Sequence, residues 1–71
     1  MDKLTKEMAL SAVEDIRRAA NDDEGAHSME DSLYLAFVEC CAAGLYEPGE
    51  AAEVAKVVLS THDIDFARWC A

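Results

Sequence analysis

The sequence predicts an all-α fold, a small compact bundle of three main helices plus a short C-terminal helix. Apolar residues recur at helical spacing in two segments and almost fill a third. The apolar run at 57–59 could also form a short strand, but the sequence offers no second strand to pair with it. An isolated strand would leave its backbone groups without hydrogen bonds, so a helix is predicted there. With 71 residues, the chain is expected to form a single helical domain over residues 1–71.

The first helix is predicted over residues 3–20. One face of it carries small and apolar side chains, and alanine in this stripe allows close approach of a second helix. The members of the stripe are Ala9, Ala12, Val13, Ile16 and Ala20. The polar segment 21–27, which is rich in acids and includes Gly25, favours a turn after this helix.

The second helix is predicted from an N-cap at Ser28, with Asp31 at capping-box spacing, to residue 43. Between residues 33 and 43 only Glu39 is charged, which is typical of a helix in the middle of a fold. Gly44 is then expected to take a left-handed conformation, so that Leu45 packs back onto the helix.

The third helix is predicted to begin near residues 47–50, with Pro48 at the first helical position. Its expected buried stripe consists of Ala51, Val54, Ala55, Val58 and Leu59. Residues 60–63 end this helix, and Asp63 caps a short fourth helix that carries Ile64, Phe66, Ala67 and Trp69. Phe66 and Trp69 are expected to close the core, and the alternative is that they and Tyr46 anchor an interface.

The charge is the most informative feature of the composition. Fifteen acids stand against six bases, a net charge of −9, and residues 19–71 carry all of this excess because residues 1–18 sum to zero. Such a surface repels nucleic acid and anionic membranes and attracts basic protein surfaces. Taken singly, each acid also fits a solvated loop or the first turn of a helix. The candidate partner-binding residues are Asp22, Asp23, Glu24, Glu30, Asp31, Glu47, Glu50, Glu53, Asp63 and Asp65.

The sequence contains no pattern that is typical of a catalytic or metal-binding site. Cys40, Cys41 and Cys70 lack the C-x-x-C spacing of a zinc site, and their odd number favours reduced thiols in a cytosol. His27 and His62 form no pair with ligand spacing, and no nucleophile stands beside an oriented base. We therefore expect no enzyme activity, no cofactor, no metal, no signal peptide and no membrane span.

These features together resemble small acidic anti-CRISPR proteins of phages and mobile elements, and in particular helical ones directed against type I-C systems. The resemblance is carried by the charge of residues 19–71, the acidic stretch at 22–24 and the helical segments 28–43 and 48–60. It implies a protein of the bacterial host cytosol. We expect a monomer or weak dimer, and the acidic charge predicts no direct contact with nucleic acid. Its acidic surface would mimic DNA, bind a Cas subunit of the surveillance complex (Cascade) and block target DNA.

Two other classes of function remain open from the sequence. An acidic adaptor could mask the DNA-binding surface of a transcription factor, and a helical interaction module could form a homodimer through an apolar face. A pull-down from a bacterial lysate separates them, because it recovers a Cas protein, a transcription factor or only the chain itself.

Overall fold

A computed structural model describes residues 2–68, and within that range it contains three α-helices and no strand. They are α1 (Lys6–Arg18), α2 (Asp23–Ala42) and α3 (Glu50–Leu59), and α3 continues into a 3₁₀ turn at Ser60–Asp63. The three helices pack on one another in a body of 35 × 17 × 17 Å. The predicted all-α bundle is confirmed.

Each helix contributes one side to a shared core. The predicted stripe of α1 is confirmed, since Ala9, Val13 and Ile16 are buried and Ala12 and Ala20 pack against them. Segments outside the α-helices complete the core. Its buried apolar members beyond α1 are Leu4, Ala26, Leu33, Cys40, Val54, Val58, Ile64 and Phe66. The burial of Phe66 confirms its predicted place in the core, whereas Trp69 lies outside the described residues.

α1 is shorter than predicted, because it begins at Lys6 and ends at Arg18. Thr5 caps it by accepting a hydrogen bond from the Met8 N–H at 3.2 Å. The backbone of Leu4 is engaged elsewhere: its N–H donates to Cys40 Sγ at 3.3 Å, and its carbonyl accepts from the Tyr46 hydroxyl at 2.7 Å. These two bonds tie the residues that precede α1 to the C-terminal end of α2 and to the segment that follows it.

The predicted start of α2 at Ser28 is wrong. The helix begins at Asp23, and its N-cap is Asp22, six residues before the predicted cap, with Oδ1 accepting from the Gly25 N–H at 3.2 Å. Gly25 makes room for this cap, since a Cβ at that position would lie 2.6 Å from Asp22 Oδ2. A glycine that reads as a turn signal therefore lies in the first turn of a helix. The extra turns bring Ala26, which is fully buried, into the core.

The predicted end of α2 is confirmed in its geometry. Gly44 has a φ of 68°, the left-handed region in which only glycine avoids a steric penalty. Its N–H donates to the Cys41 carbonyl, and the N–H of Leu45 donates to the Cys40 carbonyl, both at 3.1 Å. This is the Schellman pattern, and Leu45 packs against the core as expected.

α3 begins at Glu50. The prediction that Pro48 is the first residue of this helix is therefore wrong. Residues 47–50 form a turn in which the Glu50 N–H donates to the Glu47 carbonyl at 3.0 Å. Pro48 and Gly49, with a φ of 84° at Gly49, fit the central positions of a type II turn. The proline therefore shapes the turn that precedes the helix.

The fourth helix predicted after Asp63 does not form within the described residues. Ile64 has φ −88° and ψ 128°, which is extended backbone, and residues 65–68 form no helix. The Arg68 guanidinium explains this, because it donates to the carbonyls of Thr61 at 2.7 Å and of Ile64 and Phe66 at 3.2 Å. The carbonyls of Ile64 and Phe66, which a continuing helix would use for its own hydrogen bonds, accept from this side chain instead.

Candidate functional site

Three of the predicted acids lie at the N-terminal end of α2 and are all exposed. Asp22 caps the helix, and Asp23 Oδ1 accepts the Ala67 N–H at 2.9 Å, which holds the C-terminal segment against this end. Glu24 is in the first turn. The partial positive charge of the helix N-terminus favours carboxylates at these positions.

The C-terminal segment brings Asp65 to the same end. Asp65 is exposed between the buried Ile64 and Phe66, two residues before the Ala67 that contacts Asp23. We call Asp22, Asp23, Glu24 and Asp65 the acidic end. Asp63 is also exposed, but it ends the 3₁₀ turn, whose Thr61 and His62 lie beside Tyr34 in the middle of α2.

The predicted acids of α3 are partly neutralised by bases from the N-terminal segment and α1. Lys3 Nζ lies 2.8 Å from Glu50 Oε2, and Lys6 Nζ lies 3.3 Å from Glu53 Oε2. Glu50 also accepts the Glu47 N–H at 2.9 Å, and these bonds from Lys3 and Glu47 hold the pKa of Glu50 below its usual value. Of the three acids, only Glu47 has no ion pair with another residue in 2–68.

Glu30 is placed in the interior of the fold. Its side chain is 6% exposed and forms a two-pronged ion pair with Arg68, at 2.9 Å from Nε and 3.0 Å from Nη2. Burial raises the pKa of Glu30 and is the largest single effect, but the hydrogen bonds with Arg68 and Thr61 and the positive charge of Arg68 together outweigh it, so the pKa lies below its usual value. Glu30 therefore stabilises the packing of the C-terminal segment and offers no free charge to a partner.

The remaining candidate, Asp31, is exposed and lies one turn from His27, with Nε2 to Oδ1 at 3.5 Å. The predicted acids thus do not converge on one patch. The acidic end and Glu47 lie at opposite ends of α2, whose twenty residues span about 30 Å. The last turn of α2 contains no base, so the partial negative charge of its C-terminus adds to the field near Glu47.

Ion pairing within the chain leaves the acidic excess on the surface. All fifteen acids and six bases fall within residues 2–68, and five bases pair with one acid each. Ten carboxylates therefore have no Lys or Arg partner in that range, and every one of them is exposed. They are Asp2, Glu7, Asp22, Asp23, Glu24, Asp31, Glu39, Glu47, Asp63 and Asp65.

An apolar surface that is predicted to lie in the core faces solvent. Leu35 and Val38 of α2 are each 59% exposed, and Leu59 of α3 is 58% exposed. The predictions that α2 is surrounded by the fold and that Leu59 is buried are therefore wrong on this side of the molecule. A groove of about 240 Å³ runs between the two helices. We call it the α2–α3 groove, and its lining residues are Tyr34, Phe37, Val38, Ala55, Val58 and Leu59.

The signal for this surface was present in the sequence. Residues 33–43 are apolar on more of the helix circumference than one buried stripe requires. Two neighbouring helices in a short chain cannot cover such a helix completely, so the excess apolar residues imply an open face.

The cysteines and histidines are dispersed. Cys40 is buried and accepts the Leu4 N–H, Cys41 is exposed, and Cys70 lies outside the described residues. Between residues 2 and 68, no group of three His, Cys, Asp or Glu side chains is placed to hold a metal ion. No helix in the same range is long and apolar enough to cross a membrane.

Comparison with known proteins finds no matching family model, no matching curated protein and no matching solved structure.

Proposed function

We propose that this chain is a non-catalytic anti-CRISPR inhibitor. Its acidic surface binds the basic, DNA-binding surface of a type I-C surveillance complex (Cascade) and blocks target DNA. The observation that supports binding to a basic surface is the set of ten exposed carboxylates without a Lys or Arg partner in residues 2–68. The choice of the type I-C complex rests on the sequence resemblance.

The distribution of charge favours imitation of the electrostatic field of DNA over imitation of its geometry. A DNA duplex carries about one charge per 1.7 Å of axis, whereas neighbouring residues on a helix face are about 4.5–6 Å apart along its axis. The acidic end and Glu47 place negative charge at both ends of a molecule 35 Å long. A body of this size with a net charge of −9 is attracted by lysines and arginines that otherwise contact phosphates.

Binding through an acidic surface predicts how association depends on salt and on the number of carboxylates involved. Complementary fields steer the encounter, so association is fast at low salt and slows as the Debye length falls below about 8 Å. A single exposed ion pair contributes about 0–1 kcal/mol, so clusters of carboxylates matter more than individual ones. Inhibition is competitive and needs no turnover.

The test is displacement of labelled target DNA from a purified type I-C complex by the parent chain and by an amide variant of the acidic end. The variant is Asp22→Asn, Asp23→Asn and Glu24→Gln. Asparagine caps a helix about as well as aspartate and still accepts the Ala67 N–H, so the fold is retained. We expect the parent to displace DNA and the variant to need an about ten-fold higher concentration, since three lost surface pairs together approach 1.4 kcal/mol.

A matched control removes three charges that already pair with bases, by Glu14→Gln, Asp15→Asn and Glu53→Gln. Its net charge equals that of the amide variant, and it should inhibit like the parent. An unrelated basic DNA-binding protein serves as a specificity control and should keep its DNA. If the parent fails to displace DNA, or if both triple variants inhibit equally well, competition through the acidic end is wrong.

A further inference from the structure

The α2–α3 groove and the adjacent Leu35 form an exposed strip that carries no charged residue. Leu35 is three residues before Val38, so the two side chains are neighbours on α2. Ten residues of α3 give the strip a length of about 15 Å. In a chain with a net charge of −9, leucine and valine side chains grouped at the surface are typical of an interaction site.

Two opposite charges flank the strip along its long edges. Glu39 is one turn beyond Leu35 on the side of α2 away from the groove, and Lys56 is one turn before Leu59 on the outer side of α3. Lys56 also lines the depression between α3 and α1, which places it at the far edge of the strip. Neither Glu39 nor Lys56 has an ion pair with any other residue in 2–68.

The two charges lie at the same level of the helix pair. α2 and α3 are joined by a short connection and run antiparallel, and Tyr34 Oη lies 3.5 Å from Thr61 Oγ1. Five residues forward from Tyr34 is Glu39, and five residues back from Thr61 is Lys56. The strip is therefore apolar in the middle, negative on its α2 edge and positive on its α3 edge.

We propose that a second copy of this chain occupies the strip, with a two-fold axis that lies in the interface and runs along the helices. This axis places α2 of one copy on α3 of the other and brings Glu39 opposite the partner's Lys56 in two equivalent ion pairs. A two-fold axis across the helices would instead bring Glu39 against Glu39 and Lys56 against Lys56. Charge complementarity therefore selects both the partner and the arrangement.

The area of the strip sets the strength of this dimer. A standard interface buries about 800 Å² on each partner, and a strip about 15 Å long on two adjacent helices offers less. Two copies of net charge −9 also repel each other. The dimer is thus weak and forms at high protein concentration. It uses a different surface from the acidic end, so this inference does not depend on the proposed inhibitory function.

The test is sedimentation of the purified chain up to about 1 mM, the upper range of weak affinities, with a charge swap across the interface. Glu39→Lys alone and Lys56→Glu alone should each weaken dimerisation about ten-fold, because the two-fold axis counts each change twice. The double variant restores opposite charges and the parental net charge, so it should dimerise like the parent.

The single variants separate specific pairing from general repulsion. Glu39→Lys lowers the net negative charge by two, so repulsion alone would strengthen self-association, whereas the proposed pairing weakens it. Leu35→Glu should abolish the dimer, and Met8→Glu, at a position on α1 that is 49% exposed, is the matched control and should leave it intact. If the parent stays monomeric throughout, or if the double variant does not recover, the strip belongs to a different partner and the proposal is wrong.

Discussion

At the scale of single residues, the pair formed by Glu30 and Arg68 closes the fold. Arg68 reaches three carbonyls and the Glu30 carboxylate, and its guanidinium carbon lies 3.9 Å from the centre of the Phe66 ring. A buried carboxylate is tolerated only when such partners replace its water. Thirty-eight residues separate the two in the sequence, so no local pattern indicates that they meet.

This pair predicts a specific pH dependence of stability. Because the pKa of Glu30 is lower in the folded than in the unfolded chain, its stabilising contribution is complete well above an unfolded value of about 4.3 and is lost as the pH falls through the folded pKa. We expect the parent to be more stable than Glu30→Gln at neutral pH and the gap to narrow in acid.

Urea unfolding of both proteins between about pH 7 and pH 3 measures this gap across the range in which Glu30 titrates. Exposed acids titrate in both proteins, so their effects largely cancel in the difference. A gap that stays constant down to the lowest pH would show that the Glu30 carboxylate does not gain its stability from Arg68.

At the scale of helices, the first turn of α2 shows why a sequence pattern can misplace a boundary. Ser28 and Asp31 have capping-box spacing, but Asp22 lies six residues earlier and caps first. Residues 22–27 contain a single core residue, Ala26, which is too little for a recognisable apolar period. The end of α2 could be predicted, because Gly44 and Leu45 form a signal that depends only on adjacent residues.

Substitutions at the two candidate caps distinguish the boundaries. Asp22→Ala should destabilise the fold by about 1 kcal/mol, since it removes the acceptor of the Gly25 N–H. Ser28→Ala should be neutral or slightly stabilising, because Ser28 is exposed inside the helix and alanine has the higher helix propensity. Chemical unfolding measures both, and the reverse order of effects would place the start of α2 at Ser28.

A second comparison tests which face of α2 is buried. Leu33 is 5% exposed and Leu35 is 59% exposed, although both are leucines in the same apolar run. Leu33→Ala should reduce the free energy of unfolding by about 2–5 kcal/mol, and Leu35→Ala by less than about 1 kcal/mol. Equal losses in thermal or urea unfolding would mean that α2 is enclosed on all sides, as its composition alone suggests.

At the scale of the whole molecule, composition predicts the acidic character of the surface but not its layout. The pairs Lys3–Glu50 and Lys6–Glu53 join residues forty-seven positions apart. They neutralise two acids that the sequence predicts to be available to a partner. Carboxylates without a Lys or Arg partner therefore group at the acidic end, whereas Glu47 lies next to the Lys3–Glu50 pair. The layout of the surface charge could not be predicted from the sequence, because it depends on how α1 and the residues before it pack against α3.

The most direct test of the proposed inhibitory function is whether the chain and target DNA exclude each other on one complex. The immobilised chain is exposed to purified type I-C surveillance complex, either free or saturated beforehand with target DNA, and the bound complex is measured. If the acidic surface occupies the DNA-binding surface, the free complex binds and the DNA-loaded complex does not. Equal binding of the two would mean that the chain contacts a surface that DNA leaves open, which would contradict the account.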